Sequence, residues 1–215
     1  MKKTSLVALL VGLFSIGPVY AGPFSISMVA DNDFAIFSGT ASSINNILYQ
    51  NNTSWPNQII ALSTLTFNLA AGDNRFYVLG MGGGGPEENI SGTVNGVNMT
   101  NPSVTVLMSS NLAPSLSNYN VGGNVAAGNY NALLSDVQSA FSGLTWGSPT
   151  LNSSQTVIQQ AGFGSGFIFS TLRAHLFAFE ATEVNVSVPE PSVLVILGIG
   201  LLGLALQPGR RKFLI

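Results

Sequence analysis

Apolar and polar residues alternate with a period of two in several short runs, and this alternation restricts the chain to a β-rich fold. It places every second side chain on one face of a strand, where that side chain can pack onto a core. Turn-forming residues separate the runs, as in the glycines at 82–85 and in Asn95-Gly96. The runs are 24–28, 34–37, 62–69, 76–79, 104–108 and 166–179. The pattern predicts a mainly β protein, folded as an antiparallel β-sandwich.

Two segments interrupt the strand pattern. Between 129 and 141 the apolar residues recur at helical spacing, and Gly143 is placed to end the segment, which predicts one short helix of about three turns. Segment 54–61 is either another turn of helix or an irregular loop. The region 111–128 is rich in asparagine and glycine, and we expect a long exposed loop there.

The C-terminal segment combines an apolar run with a basic end. No polar residue occurs between 193 and 206, and Arg210, Arg211 and Lys212 follow. Continued to residue 209, the run has 17 residues, or about 26 Å of helix against a hydrocarbon core of about 30 Å. We therefore predict a transmembrane helix at 193–207 whose basic end is cytoplasmic, so that the inner membrane anchors the chain before processing.

The N-terminal segment has the three parts of a secretory signal peptide. Lys2 and Lys3 are the basic start, 6–16 is the apolar core, and 19–21 is a small-residue cleavage box. Cleavage by signal peptidase is predicted between Ala21 and Gly22. The expected organisation is a signal peptide at 1–21, one secreted sandwich domain at 22–187, and a C-terminal sorting signal at 188–215.

Charge and cysteine content exclude several functions. Only Arg75 and Arg173 are basic between residues 22 and 192, while all nine acidic residues lie there, so the exported part has a net charge of 2 − 9 = −7. A nucleic-acid partner is excluded because phosphate binding needs clustered cations. The chain has no cysteine, which excludes disulfides and thiolate metal sites.

The tail also contains a specific motif, Val188, Pro189, Glu190, Pro191 and Ser192, directly before the apolar run. Together with the basic end, this motif resembles the PEP-CTERM sorting signal of Gram-negative bacteria, which a membrane protease called exosortase recognises. The resemblance implies that exosortase recognises Pro189, Glu190 and Pro191 and removes the helix and basic end. It also implies export to the cell surface or the exopolysaccharide matrix. An ordinary tail anchor after a proline-rich stalk is the alternative.

A second resemblance covers roughly residues 28–98. The sequence 30–39, then Trp55, then 65–80 is similar to the core of galactose-binding-like jelly-roll domains, which implies a jelly-roll form of the sandwich. The chain departs from that pattern at 104–151. Since a fold does not determine a function, the resemblance does not imply galactose binding.

The sequence offers few candidate catalytic, metal-binding or sugar-binding residues. His175 is the only histidine, and we expect a structural role for it rather than that of a catalytic base. Asp31, Asp33 and Asp73 carry hard oxygen ligands suited to a structural calcium ion, although turn formation is the commoner role of such residues and the preferred interpretation. Trp55 and Trp146 are candidate sugar-stacking rings, with core packing as the commoner fate. Glu87, Glu88 and Asp136 are candidate carboxylates for a glycosidase, which needs two of them facing each other across a cleft, but no motif accompanies them.

The sequence therefore favours a protein without catalytic residues or a required cofactor. The leading hypothesis is a non-enzymatic exported protein, sorted by exosortase, with a role in the biofilm or exopolysaccharide matrix. A calcium-supported, lectin-like carbohydrate-binding module is the alternative. A glycan-acting hydrolase is a more distant one.

Overall fold

The computed structural model describes residues 23–51, 53, 55–60, 64–83, 88–116, 130–153, 161–170 and 172–181. The predicted signal peptide and the sorting signal, including the transmembrane helix at 193–207, lie outside these residues. Within the described ranges, no helix is both long and apolar enough to cross a membrane.

Twelve strands in the described ranges form two antiparallel sheets. In spatial order, sheet A contains β10 (Thr150–Asn152), β11 (Gly166–Phe169), β6 (Glu88–Val94), β1 (Phe24–Asp31) and β4 (Thr64–Phe67), and β7 (Val97–Asn98) also pairs with β6. Sheet B contains β3 (Ser43–Gln50), β2 (Asp33–Thr40), β5 (Arg75–Met81), β12 (Ala174–Glu180), β8 (Val106–Ser109) and β9 (Trp146–Gly147).

The main core lies between the two sheets. Phe24 of sheet A stacks on Phe76 of sheet B with ring centroids 5.2 Å apart, and Phe167 stacks on Phe177 at 5.7 Å. Burying such side chains contributes about 1.5–3 kcal/mol each, which makes this core the main source of stability. The predicted antiparallel sandwich is confirmed.

A second core covers the other face of sheet B. Helix α2 (Tyr130–Phe141) places Leu133, Val137 and Phe141 against this face, in one cluster with Tyr77 and Leu176. These side chains recur every four residues along one helix face, so the helix predicted at 129–141 is confirmed, with observed bounds Tyr130–Phe141. Sheet B is therefore buried on both sides, and the fold has three layers.

One expectation, the exposed loop at 111–128, is wrong for residues 111–116, while residues 117–128 lie outside the described residues. The start of the region expected as an exposed loop, 111–128, contains a 3-10 turn, Ala113–Leu116, and both Leu112 and Leu116 are buried in the second core. The run 166–179 contains two strands, as expected, and they belong to different sheets, β11 to sheet A and β12 to sheet B. Leu172, between them, has φ of 57°, a turn conformation that breaks the run.

Helix α1 (Trp55–Ile60) completes one edge of sheet A, so the helical alternative for segment 54–61 is the one observed. Strand β4 pairs with β1 only from Phe24 to Ser27. Beyond it, the Gln58 side chain accepts a hydrogen bond from the Ala30 amide and donates one to the Asn32 carbonyl, both at 2.8 Å. A side-chain amide thus pairs with the backbone where the edge strand has ended.

Candidate functional site

Asp33 is a buried carboxylate at the start of β2. Its Oδ1 accepts hydrogen bonds from Asn51 Nδ2 at 2.6 Å and from the Phe34 amide at 2.8 Å. Asn51 Nδ2 also donates to the Thr53 carbonyl at 2.7 Å. These bonds fix the chain that leaves β3, which gives Asp33 a structural role.

Asp73 is a second buried carboxylate, in the turn before β5. Its Oδ1 accepts from Asn45 Nδ2 at 2.6 Å, and its Oδ2 accepts from Asn46 Nδ2 at 3.1 Å and from the Ser38 hydroxyl. Three donors to one carboxylate compensate for its removal from water. Asp73 thereby ties the turn to β2 and β3.

The structure does not bring the three predicted calcium ligands together. Strand β2 pairs with β5 from Asp33 opposite Met81 to Gly39 opposite Arg75, so Asp33 and Asp73 lie at opposite ends of these strands. Across the described ranges, no three acidic or histidine side chains gather closely enough to hold a metal ion by themselves. Asp31 is separate from both and lies on sheet A.

Asp31 and Asn89 form a polar corner on the outer face of sheet A. They are opposite each other in the β1–β6 pairing, so their side chains lie on the same face. Asn89 is fully buried, and within the described part of the chain neither its Oδ1 nor its Nδ2 is hydrogen-bonded. Burial, and secondarily the charge of Glu88, raises the pKa of Asp31 from 3.8 to about 6.

Glu88 adjoins this corner from the interior of the sandwich. It is fully buried, and a Cβ added at Gly82 would lie 2.5 Å from Glu88 Cγ, so the glycine is what allows the approach. Asn89 is not among the candidate site residues named from the sequence. Its burial depends on the pairing of β1 with β6, which is distant along the chain.

His175 is packed and hydrogen-bonded. Its Nδ1 lies 2.8 Å from the Ser109 carbonyl oxygen, and its ring centroid is 5.7 Å from that of Phe169. Burial lowers the pKa of His175 and favours the neutral ring. The Ser109 hydroxyl donates to the Ser110 carbonyl and accepts from the Leu176 amide, so these contacts describe a structural histidine.

Trp146 belongs to the second core. Its ring centroid is 6.1 Å from Tyr77 and 5.8 Å from Phe141, and the side chain is only partly exposed. Core packing, the commoner fate of such a ring, therefore describes Trp146 better than sugar stacking. The side chain of Trp55, the other predicted stacking ring, lies outside the described residues.

Sheet A presents an uncharged hydroxyl face on its outer side. Ser25 is opposite Thr66, Ser27 is opposite both Thr64 and Thr93, and the Ser27 and Thr64 hydroxyls are 2.7 Å apart. Thr64 and Thr66 are exposed, while the other three are partly exposed. We call Ser25, Ser27, Thr64, Thr66 and Thr93 the hydroxyl face.

The tail provides the decisive comparison. Residues 187–211 match the family model of the PEP-CTERM protein-sorting motif. The chain carries a PEP-CTERM sorting motif. The match spans Val188–Ser192 and also Arg210 and Arg211, and the motif indicates exosortase-dependent sorting to the cell surface. No curated protein and no solved structure matches the chain, so the resemblance to galactose-binding-like domains is not confirmed.

Proposed function

We propose that this chain is a non-catalytic exported protein which exosortase delivers to the cell surface or exopolysaccharide matrix, where it is a component of the biofilm. The match of residues 187–211 to the PEP-CTERM motif carries this proposal. Signal peptidase first cleaves after Ala21, and the tail holds the chain in the inner membrane until it is processed.

The contacts of the polar side chains support a non-catalytic role. Asp33 and Asp73 hold backbone and side-chain donors in place, and His175 packs on Phe169. General acid–base chemistry needs a group within hydrogen-bond reach of a reacting atom. Here the hydrogen bonds of these groups are used to join strands and turns.

The hydroxyl face supports contact with a polysaccharide. Its five side chains carry hydroxyl groups without charge, on a sheet whose inner face packs in the main core. Neutral sugars are bound by such donors and acceptors and need no ion pair. This observation favours the carbohydrate-binding alternative as a second candidate function.

The sorting step can be tested with a matched pair of variants in a host that contains an exosortase. The full chain with Pro189→Ala, Glu190→Ala and Pro191→Ala should keep the mass of the tailed form and stay with the inner-membrane fraction. The chain has a second Pro-Glu pair, Pro86-Glu87, and its double alanine variant should be processed normally. Identical processing of both variants would contradict exosortase sorting.

The polysaccharide contact has a separate test. Thr64→Asp with Thr66→Asp adds two negative charges to the hydroxyl face, and it should reduce retention of the full chain on the host's own exopolysaccharide. Ser139→Asp with Ser142→Asp adds the same charge at exposed positions on and after α2. Equal retention of both variants would show that the hydroxyl face does not bind the polysaccharide. The protein would then be a matrix component that is held in some other way.

A further inference from the structure

We propose that the polar corner formed by Asp31 and Asn89 is a calcium-binding site. The corner combines a partly buried carboxylate with a fully buried amide. Of the two, the amide is the more informative, because both of its polar atoms lack a hydrogen-bond partner within the described residues.

Asn89 is buried without a hydrogen-bonding partner in the described part of the chain, for both its oxygen and its nitrogen. An amide in that condition loses about 1–3 kcal/mol of hydrogen bonding compared with the unfolded chain. Native folds seldom accept such a loss in the middle of a sheet without a ligand or an ordered water to recover it. The buried carboxylates Asp33 and Asp73, in contrast, are each held by two or more protein donors.

The register of sheet A places Asn89 between Asp31 of β1 and Ile168 of β11. Asp31 and Asn89 are opposite each other in the β1–β6 pairing, so their Cβ atoms are about 4.5–5.5 Å apart on one face. An ion with oxygen ligands at about 2.3–2.6 Å can bind between the Asp31 carboxylate and Asn89 Oδ1. The next pair on this face, Val29 and Ser91, is fully buried, so the corner is closed on that side, while the partly exposed Asp31 leaves it open to water.

Charge at the corner favours a divalent cation. Glu88 is fully buried next to Asn89, and its charge acts on Asp31. The exported part has only two basic residues, and one of them, Arg75, is paired with Glu180 at the other end of β5. A calcium ion would supply the positive charge that the sequence lacks.

The ligand set predicts weak binding. Calcium takes six to eight oxygens, and two side chains leave the remaining positions to water. The expected Kd is therefore about 0.1–1 mM, the range of extracellular calcium modules. Magnesium should bind less well, because it loses its water less readily and requires a stricter octahedral geometry.

The test uses the full chain, stripped of metal with EDTA and kept in detergent at neutral pH. Calorimetric titration with calcium chloride should show one site. The melting temperature should rise by about 3–6 °C for each tenfold increase of calcium above the Kd. Magnesium at the same concentrations should give a smaller shift.

Two variants and a control decide the assignment. Asp31→Asn and Asn89→Val should lose the calcium response. Asn89→Val should also melt no lower than the metal-free wild type, because it removes a buried amide and inserts a β-branched residue. Asp136→Asn removes one charge on α2, on the far side of sheet B, and should respond like wild type. No calcium response in wild type, or an undiminished response in Asp31→Asn and Asn89→Val, would overturn the proposal.

Discussion

Asn45 donates a hydrogen bond of 2.6 Å to the carboxylate of Asp73, and this bond joins an edge strand to the turn before β5. Asp73 also accepts bonds from Ser38 and Asn46, so one buried charge holds three segments of sheet B. The turn has no disulfide to fix it, because the chain has no cysteine. The hydrogen bonds of the Asp73 carboxylate fix the turn instead.

We expect Asp73→Asn to lower the free energy of unfolding by about 2–3 kcal/mol. The amide that replaces a carboxylate oxygen would face a donor of Asn45 or Asn46 instead of accepting from it. Urea unfolding followed by tryptophan fluorescence measures the loss. Asn74→Ala changes an exposed side chain in the same turn and should stay within about 0.5 kcal/mol of wild type. Equal midpoints for the two variants would refute the role given to Asp73.

The pH dependence of stability should contain a contribution from Asp31. Because the folded protein raises the pKa of Asp31 to about 6, this group stabilises the fold fully below its unfolded value of 3.8, and the contribution is lost as the pH rises through 6. In EDTA, Asp31→Asn should therefore be more stable than wild type at neutral pH by about 1–2 kcal/mol, after allowance for partial exposure. The difference should shrink toward pH 4. A difference that does not change with pH would contradict this assignment.

The ion pair between Arg75 and Glu180 should contribute modestly. The two residues are opposite each other in the β5–β12 pairing and are both partly exposed. A double-mutant cycle with Arg75→Gln and Glu180→Gln should give a coupling of less than about 1 kcal/mol. The coupling should fall further in high salt, because the pair is screened. A coupling that is large and insensitive to salt would show that this pair is effectively buried.

The helical layer should be part of the cooperative fold. Leu133→Ala removes a fully buried side chain between α2 and sheet B, and it should cost about 2–5 kcal/mol. Ser139→Ala, on the exposed side of the same helix, serves as the control. Urea unfolding detected by tryptophan fluorescence and by circular dichroism should give one shared transition for each variant. Two separate transitions in Leu133→Ala would show that α2 unfolds independently of the sandwich.

Much of the fold can be predicted from local patterns. Strand β1 faces the main core with alternate side chains, and this produces its period of two, whereas β2 and β5 are buried on both faces and are apolar throughout much of their length. Helix α2 was predicted for the same reason, since Leu133, Val137 and Phe141 lie on one helix face. Both predictions need only the side chains of neighbouring residues.

Strand β6 could not be predicted in this way. Its residues Glu88, Asn89 and Ser91 are polar yet buried, and β6 lies between β1 and β11 in the interior of sheet A. The pairing across β1 and β6 also determines the polar corner. The sequence identified Asp31 as a turn residue whose carboxylate oxygens could bind calcium. Its cross-strand neighbour Asn89 could be identified only from the structure, because β1 and β6 are distant along the chain and pair only in the fold.

Strand β12, the last strand of the described residues, lies inside sheet B and not at an edge. It pairs with β5 over seven residues and with β8 over three, and residues 182–187 are all that separate Ala181 from Val188. If the processed tail were tethered at the cell surface, tension on it would enter the fold through β12, an interior strand paired with β5 over seven residues. Under flow, the rate of unfolding would then determine how long an anchored chain survives a pull.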